Sequence, residues 1–538
     1  MKDPASIFND VIGPVMIGPS SSHTAASVRI GNLIRQITGG CPKRVVFKFA
    51  TDSSLAMTYQ SQGADFGLAG GVLGFDTSDP RIVHALSLAE QAGVKIEFQI
   101  AGFKAVHPNL FCITATDSAG REIGAEALSC GGGMVMLRRL AGVPISINGG
   151  FYETLLLFDN CPPHIVYACR DHLASRISGH DTLIVCQNDG LAEDQCRTDP
   201  GSQSGTAGYI INYRGQKAMP AALLAEVKNS YPVKDTINLA PVLPVMSRNE
   251  YTGLFNTASE VLDIANRERL SLAEVAILYE TRRSGLDEGA VLGKMAGIVE
   301  ILRQTLKDSA AAKEEYPNRI LGRQARLLTK KTAIGGKVMH HIIRHITLLM
   351  EAKSSMKPIV AAPTAGSCGT VPGTLIGAAT ALGFSEKAVI RAMLAAGLVG
   401  VLIAEHSTFS GEVGGCQAEC GSASGMAAAG LVQLLGGTAE QALDAASMAL
   451  QNVFGLTCDP VAGRVEVPCL GKNIMAGTNA LAMAELALAG FNKVIPLDET
   501  IAAMYQVGLS LPAELRCTGM GGLSITPASR RIERRLGR

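Results

Sequence analysis

At the two prolines of PVLPVMSRNEY, Pro241 to Tyr251, the apolar residues of this chain change their spacing. Before that point, short runs rich in β-branched and aromatic residues read as strands. They include KRVVFKFA (Lys43 to Ala50), VKIEFQI (Val94 to Ile100) and LFCITATD (Leu110 to Asp117). After it, LFNTASEVLDIANRER, SLAEVAILYETRRSG and AVLGKMAGIVEILRQTLKDSAAAKEE place apolar residues at helical spacing, with Ser or Thr nearby to cap them. Proline disfavours helix, so the stretch itself reads as a connector. From Pro358 to Gly490 the helical pattern is rich in Ala and Gly and broken by Gly-Gly and Pro. Small residues let helices approach closely, and glycine turns bring backbone near a ligand.

The half before the connector divides again. Residues 1–150 read as an α/β region, with a helix over Ser22 to Ile37 and a glycine cluster in GAEALSCGGGMVML. From Phe151 to about Val242, ETLLLFD, HIVYACRDHLASR and DTLIVCQ, then GYIINYR, AALLAEVKNSY and DTINLAPV, give β-α-β twice. That order suits a small ferredoxin-like module. The long polar loop Gly190 to Gly208 lies inside it. The fold class is therefore α+β and multidomain: an α/β unit over 1–150, a ferredoxin-like module and linker over 151–242, and a large all-α unit over 243–538. A chain of 538 residues is in any case too long for one core.

A formal charge of +1 provides no electrostatic footprint for nucleic acid or an anionic membrane, so the expected partner is a small molecule. The opening residues show no signal peptide. The most apolar window, AMLAAGLVGVLIAEHS (Ala392 to Ser407), is expected to fall short of the roughly 20 residues that span a bilayer. Thirteen cysteines without the spacing of a secreted disulfide framework point to a cytoplasmic protein, whose cysteines are core residues, ligands or nucleophiles.

Three patterns carry possible chemistry. In Gly18-Pro19-Ser20-Ser21-Ser22-His23-Thr24, hydroxyls and free N–H groups converge at a helix start, a place suited to a carboxylate or phosphate, with His23 as a proton carrier. An ordinary serine cap reads the same way. The glycine-laced turn from Ala362 to Gly373, including Thr364, Gly366, Ser367 and Gly369, is a carboxylate cradle or a plain interhelical turn. Cys416, Cys458 and Cys469 are spaced too widely for a structural zinc clip, yet each sits beside Gly, Pro or a polar residue. Each alone is a core residue or a ligand. Together, three thiolates on bent backbone leave one metal position open.

Five segments in order, GPVMIGPSSSHTAASVRIG, GGVLGFDTSDPRIVHAL, APTAGSCGTVPG, SGEVGGCQAECGSASGMAAAG and LTCDPVAGRVEVPC, resemble the iron–sulfur L-serine dehydratases in their fused single-chain form. The resemblance implies a beta-type substrate domain over 1–150, an ACT-like module over 151–242 and an alpha-type catalytic domain over 243–538. It implies a 4Fe-4S cluster on Cys416, Cys458 and Cys469, with Cys420 outside the ligand set, and no pyridoxal phosphate. The implied reaction is deamination of L-serine to pyruvate and ammonia, a step of amino-acid degradation. His23, Ser21 and Ser22 then have catalytic roles. Ser20, Thr24, Thr364, Gly366, Ser367, Gly369, Gln62 and Asp65 hold the amino-acid substrate in a cytoplasmic homodimer.

The chain departs from the family pattern twice. In Ser61-Gln62-Gly63-Ala64-Asp65, glutamine stands where a family histidine is the candidate base, and an amide cannot act as one. Either His23 or another group does that work, or the substrate is L-threonine, L-cysteine or a similar β-substituted acid. A non-catalytic cluster sensor is the reading from another class. The chain ends RRIERRLGR, without the terminal cysteine that caps the open iron in some members; Cys517 is the nearest substitute. His340, His341 and His345 are expected not to share a helix face, and Lys330, Lys331 and Lys337 read as solvated charge.

Overall fold

The computed structural model describes residues 3–189, 207–249, 251, 253–313, 319–329 and 334–536. The fold is a mixture of helices and several sheets, with the two larger sheets built from residues before the connector.

Six strands form the first sheet: β1 (Arg44–Ala50), β2 (Lys95–Ala101), β3 (Leu110–Thr116), β4 (Glu122–Gly131), β5 (Met134–Leu140) and β6 (Val143–Ile147), in the order β2-β1-β3-β4-β5-β6. Only β1 and β2 run parallel, Arg44 opposite Lys95, so the helices between them form the crossover that parallel strands require. The glycine cluster of GAEALSCGGGMVML is the turn of the β4–β5 hairpin. Helices α1 (Ala26–Ile37) and α2 (Ala64–Leu73) cross at glycines. A Cβ on Gly71 would lie 2.1 Å from the Val28 carbonyl oxygen, so no larger residue fits that crossing.

The second sheet contains β7 (Tyr152–Phe158), β8 (Thr182–Gln187), β9 (Tyr209–Gly215) and β10 (Asp235–Leu239), all antiparallel in the order β10-β7-β9-β8. Two helices, α3 (Pro163–Ala174) and α4 (Ala221–Ser230), complete a β-α-β-β-α-β succession. Side chains alternate along β7: Leu156 and Phe158 pack with Val166, Leu173 and Val227 beneath the helices, whereas Leu155 and Leu157 join the core of the first sheet. Most of the polar loop from Gly190 lies outside the described residues.

The remainder is helical: α5 (Ala258–Glu268), α6 (Leu272–Ser284), α7 (Glu288–Ala311), α8 (Gly336–Ser354), α9 (Thr370–Leu382), α10 (Glu386–His406), α11 (Ser422–Leu434), α12 (Ala439–Gln451), α13 (Cys469–Leu488) and α14 (Leu497–Ser510). Thr257 with Glu260, Ser271 with Glu274 and Thr438 with Gln441 form capping boxes at α5, α6 and α12. The window from Ala392 belongs to α10, whose 21 residues are long and apolar enough to cross a membrane, contrary to the expectation that it falls short. The difference arises because Glu386 to Arg391 extend the helix N-terminally from a Ser385 cap. In the fold, 78% of its most apolar window is buried against the other helices, as in a core helix.

Residues 5–16 precede the first sheet in sequence but pack in the core of the helical part. Glu280 on α6 anchors them: it accepts from Ser6 Oγ at 2.8 Å and from the Ile7 N–H at 2.9 Å, while Arg283 Nε approaches at 3.2 Å. Tyr279 donates to the Ala5 carbonyl at 2.6 Å. Val15 and Met16 then pair with Val360 and Ile359. Removing one partner of a buried charge pair leaves the other uncompensated, so Glu280→Ala is expected to cost about 3–5 kcal/mol in denaturant unfolding.

On α8, His341 and His345 do share a face, their ring centroids 5.8 Å apart, because they are four residues apart and only His340 is out of register. His345 Nδ1 is engaged by the His341 carbonyl at 2.7 Å. Lys337 is exposed at the start of α8, and Lys330 and Lys331 lie outside the described residues.

Candidate active site

The SSSHT segment folds as one wide turn, Ser21–Ala25, leading directly into α1. Ser20 caps it by accepting from the His23 N–H at 3.2 Å. His23 is completely buried. Its Nε2 lies 2.8 Å from Thr58 Oγ1, and the Thr58 hydroxyl proton is committed to the Ser54 carbonyl at 2.6 Å. Thr58 therefore accepts at its other side, which makes Nε2 the protonated nitrogen and leaves Nδ1 with a lone pair. That lone pair faces Ser20 Oγ at 3.2 Å and Ser22 Oγ at 3.4 Å.

Ser22, half-buried, donates to Glu412 Oε1 at 3.0 Å, and the same oxygen lies 3.6 Å from His23 Nδ1. Ser410 Oγ donates to the other oxygen of Glu412 at 2.7 Å. Burial pushes the His23 pKa down, with Glu412 opposing. The Glu412 carboxyl lies below its usual range despite burial, held there first by His23 and then by the Ser410 and Ser22 hydroxyls.

The second turn meets the first. The Ala365 N–H donates to Ser21 Oγ at 3.1 Å. Thr364 and Ser367 exchange backbone–hydroxyl contacts, and Thr364 Oγ1 donates to Glu419 Oε1 at 2.7 Å. Asn473 on α13 staples this turn from behind: its Nδ2 donates to the Gly366 carbonyl at 2.8 Å, and its Oδ1 accepts from the Gly369 N–H at 3.2 Å and Thr370 Oγ1 at 2.9 Å. A Cβ on Gly366 would stand 2.6 Å from Glu419 Oε1, so this turn needs glycine to hold its distance from that carboxylate. Glu419 retains some exposure within the cleft, and surrounding protein, then Glu412, raises its pKa to about 7. Asn473→Ala strips three buried partners, and a loss of about 2–4 kcal/mol is expected in thermal or denaturant unfolding.

Five buried thiols gather beside these turns: Cys416, Cys420, Cys458, Cys469 and Cys517, around Ala476. Cys416 precedes the bent turn Gln417–Gly421, and Cys469 opens α13, where the helix dipole favours a thiolate. The Cys458 N–H donates to the Leu515 carbonyl at 2.8 Å and the Cys517 N–H to the Cys458 carbonyl at 2.7 Å, so the C-terminal turn is zipped to the cysteine loop. Cys458 Sγ also reaches Glu419 Oε2 at 3.9 Å.

Gln62 bridges the two halves: its carbonyl accepts from Thr24 Oγ1 at 2.8 Å, and its Nε2 donates to Cys517 Sγ at 3.6 Å. Asp65 sits in the first turn of α2, where its carboxylate takes the Phe66 N–H at 2.8 Å. The structure thus brings Ser20 to Thr24, Gln62, Thr364 to Gly369 and the cysteines into one region, while Asp65 accepts a hydrogen bond within its own helix.

Burial, then mutual proximity, pushes Cys469 up to about 12, with Lys353 and Lys472 opposing. Hydrogen bonding from Cys517, followed by burial, pushes Cys458 up as well. Three thiolates in such a place require compensating positive charge, which is what bound metal supplies. Among the described residues no three His, Cys, Asp or Glu side chains are arranged around a single ion. Iron–sulfur clusters are held by cysteine thiolates, and Cys416, Cys458 and Cys469 supply that donor chemistry.

Several residues of the site went unnoticed in the sequence. Glu412 and Glu419 lie within EVGGCQAECG, and two carboxylates in a glycine-rich apolar stretch were the available signal. Thr58 and Asn473 are single polar residues in helices and give none. His107, whose Nδ1 takes the Asn109 N–H at 3.0 Å, feels the charge of Glu412, and the fully buried Asn109 amide has no hydrogen-bond partner among the described residues.

Comparison with known proteins matches residues 267–524 to the family model "Serine dehydratase alpha chain". A probable L-serine dehydratase alpha chain of Bacillus subtilis is 35% identical over 286 residues, 53% of this chain and 95% of that protein. The L-serine dehydratase alpha chain of Peptoniphilus asaccharolyticus is 36% identical over 285 residues, 52% of this chain and 98% of its own. An L-serine dehydratase of Helicobacter pylori is 32% identical over 284 residues, 51% of this chain and 62% of that protein. Fold, site and relatives define an enzyme of the lyase class. The chain belongs to the L-serine dehydratase family, its helical half corresponding to the alpha chain.

Proposed function

We propose that the chain converts L-serine to pyruvate and ammonia, with Cys416, Cys458 and Cys469 holding a 4Fe-4S cluster. The observation that carries this reading is the convergence of the SSSHT turn, the TAGS turn and the cysteine cluster on Glu412 and Glu419. When bound, the cluster supplies a Lewis acid for the departing hydroxyl. No pyridoxal phosphate is required.

The protein's own residues do the rest. The Thr364–Gly369 turn, at the N-terminus of α9, and the SSSHT turn take the substrate carboxylate and ammonium, with Gln62 and Asp65 bordering the site. Ser22 presents its hydroxyl to the cleft, backed by His23 Nδ1 and Glu412, and this trio removes the α-proton. Loss of water gives an enamine, which becomes an imine and hydrolyses to pyruvate. The β-α-β-β-α-β unit with strand order 4-1-3-2 supports an ACT-like module over 152–239. Gln62, where the family histidine is expected, favours a second reading: the same elimination on L-threonine or L-cysteine. Two-oxo-acid formation by the anaerobically prepared full chain from each of the three amino acids tests both readings, and product from none of them contradicts both.

The pH dependence follows from His23. The trio works with neutral His23, whose pKa burial lowers, so kcat/KM on the acid side is expected to hold down to about pH 6.5 and fall only below it. Around the pair stand Ser20, Ser22 and Thr58, all uncharged, with His107 and Glu419 the titratable groups next to Glu412. Because Glu412 raises the His23 pKa, Glu412→Gln moves the acid limb to lower pH. A limb above pH 6.5, or one unmoved by Glu412→Gln, excludes His23 as the group titrating.

A further inference from the structure

A cavity of about 650 Å³ lies where the N-terminal segment, α1, the connector and α7 meet, and it shares no lining residue with the SSSHT turn, the TAGS turn or the cysteines. Its volume is that of a small-molecule site. The charged groups on its wall are Arg29, Asp76 and Lys294. Arg29 is 3% exposed, deep in the wall. One of its terminal nitrogens donates to the Gly133 carbonyl at 2.6 Å, but Nε has no acceptor among the described residues. A buried guanidinium is costly unless it is paired. Burial draws its pKa down to about 10 against Asp10 and Asp76, so it remains a cation at neutral pH.

Lys294, on α7 and also part of the wall, makes a long contact, 3.4 Å, to the Pro244 carbonyl. Asp76 receives the Thr77 hydroxyl at 3.0 Å. Ile12, Val28, Ile298 and Ile301 line the same cavity and give it an apolar surface. Two cations, one anion and apolar lining complement a molecule carrying a carboxylate, an ammonium and a hydrocarbon side chain.

We propose that this cavity is a second binding site, for an apolar α-amino acid: the carboxylate on Arg29 and Lys294, the ammonium on Asp76, and the side chain on the isoleucines. Guanidinium and carboxylate meet as a charge-assisted pair. Asp76 distinguishes an amino acid from a simple carboxylate. The walls come from both halves of the chain, so the ligand joins α1, whose leading turn carries Ser22 and His23, to α7 of the helical part.

The test is calorimetric titration of the full chain with L-leucine, L-isoleucine and L-phenylalanine, with 4-methyl-2-oxopentanoate as the probe lacking an ammonium. At least one amino acid is expected to bind with a Kd below about 5 mM, and the oxo acid several-fold more weakly than L-leucine. Arg29→Gln should weaken binding at least tenfold, and Lys294→Gln, at a half-exposed helix position that leaves folding intact, at least threefold. The Cys416→Ala chain should bind as tightly as the unaltered one, which separates this site from the cluster and keeps the result independent of the proposed reaction. Absence of binding by all three amino acids, binding indifferent to Lys294→Gln, or an oxo acid that binds as well as L-leucine overturns the proposal.

Discussion

Cys416→Ala, Cys458→Ala and Cys469→Ala, each prepared without air, are expected to lose the broad visible absorbance of an iron–sulfur cluster, whereas Cys420→Ala retains it. The four thiols are alike in burial, so exposure cannot separate them. Their backbone settings do. Cys416 and Cys469 stand at the start of a turn and of α13, and Cys458 lies in an extended loop held by the C-terminal turn. Cys420 lies within the turn that leads into α11, and its sulfur accepts from Asn473 Nδ2 at 3.5 Å, a contact that packs it against the staple behind the TAGS turn. Iron content should fall with the absorbance in the first three variants. Retention of a full cluster in any of them, or its loss in Cys420→Ala, breaks the ligand assignment.

The second large effect concerns the proton. Ser22→Ala and His23→Ala are each expected to reduce kcat by about 10²- to 10⁴-fold with the cluster absorbance unchanged. Ser22 is the half-buried member whose hydroxyl touches both His23 and Glu412, and His23 is the buried member whose Nδ1 is left unprotonated by Thr58. The effects should not add, because the residues act as a unit. Thr58→Val, which removes the acceptor at Nε2, releases the tautomer and should reproduce a smaller part of the same loss. An unchanged kcat in Ser22→Ala assigns the α-proton to another group in the cleft, with Glu419 the next candidate.

The elements were legible where periodicity was strong. Capping residues and a 3.6-residue spacing marked α5 to α7 directly, and β1, β2 and β3 followed from β-branched and aromatic runs. The packing of residues 5–16 into the helical core was not legible, because it depends on Glu280 and Arg283, far away in sequence, meeting Ser6 and Ile7. For α10, reading the window from Ala392 alone missed the charged residues that lengthen the helix at its N-terminal end.

Of the site, the turns and cysteines were legible because Gly, Ser and Cys in clusters are costly unless backbone geometry or ligands demand them. The groups that orient them were not. Asn473 and Thr58 act through single hydrogen bonds across tens to hundreds of residues, and a lone polar residue in a helix looks the same whether it staples a turn or faces water. Gln62 was noticed as a departure from the family pattern, but only its contact with the Cys517 sulfur shows that the departure lies against the thiol cluster.

The central claim is that three thiolates of this chain hold an iron–sulfur cluster. It is tested most directly by determining iron and acid-labile sulfide in the full chain purified under anaerobic conditions. The account predicts about four of each per chain. Stoichiometric zinc, or iron without inorganic sulfide, contradicts it.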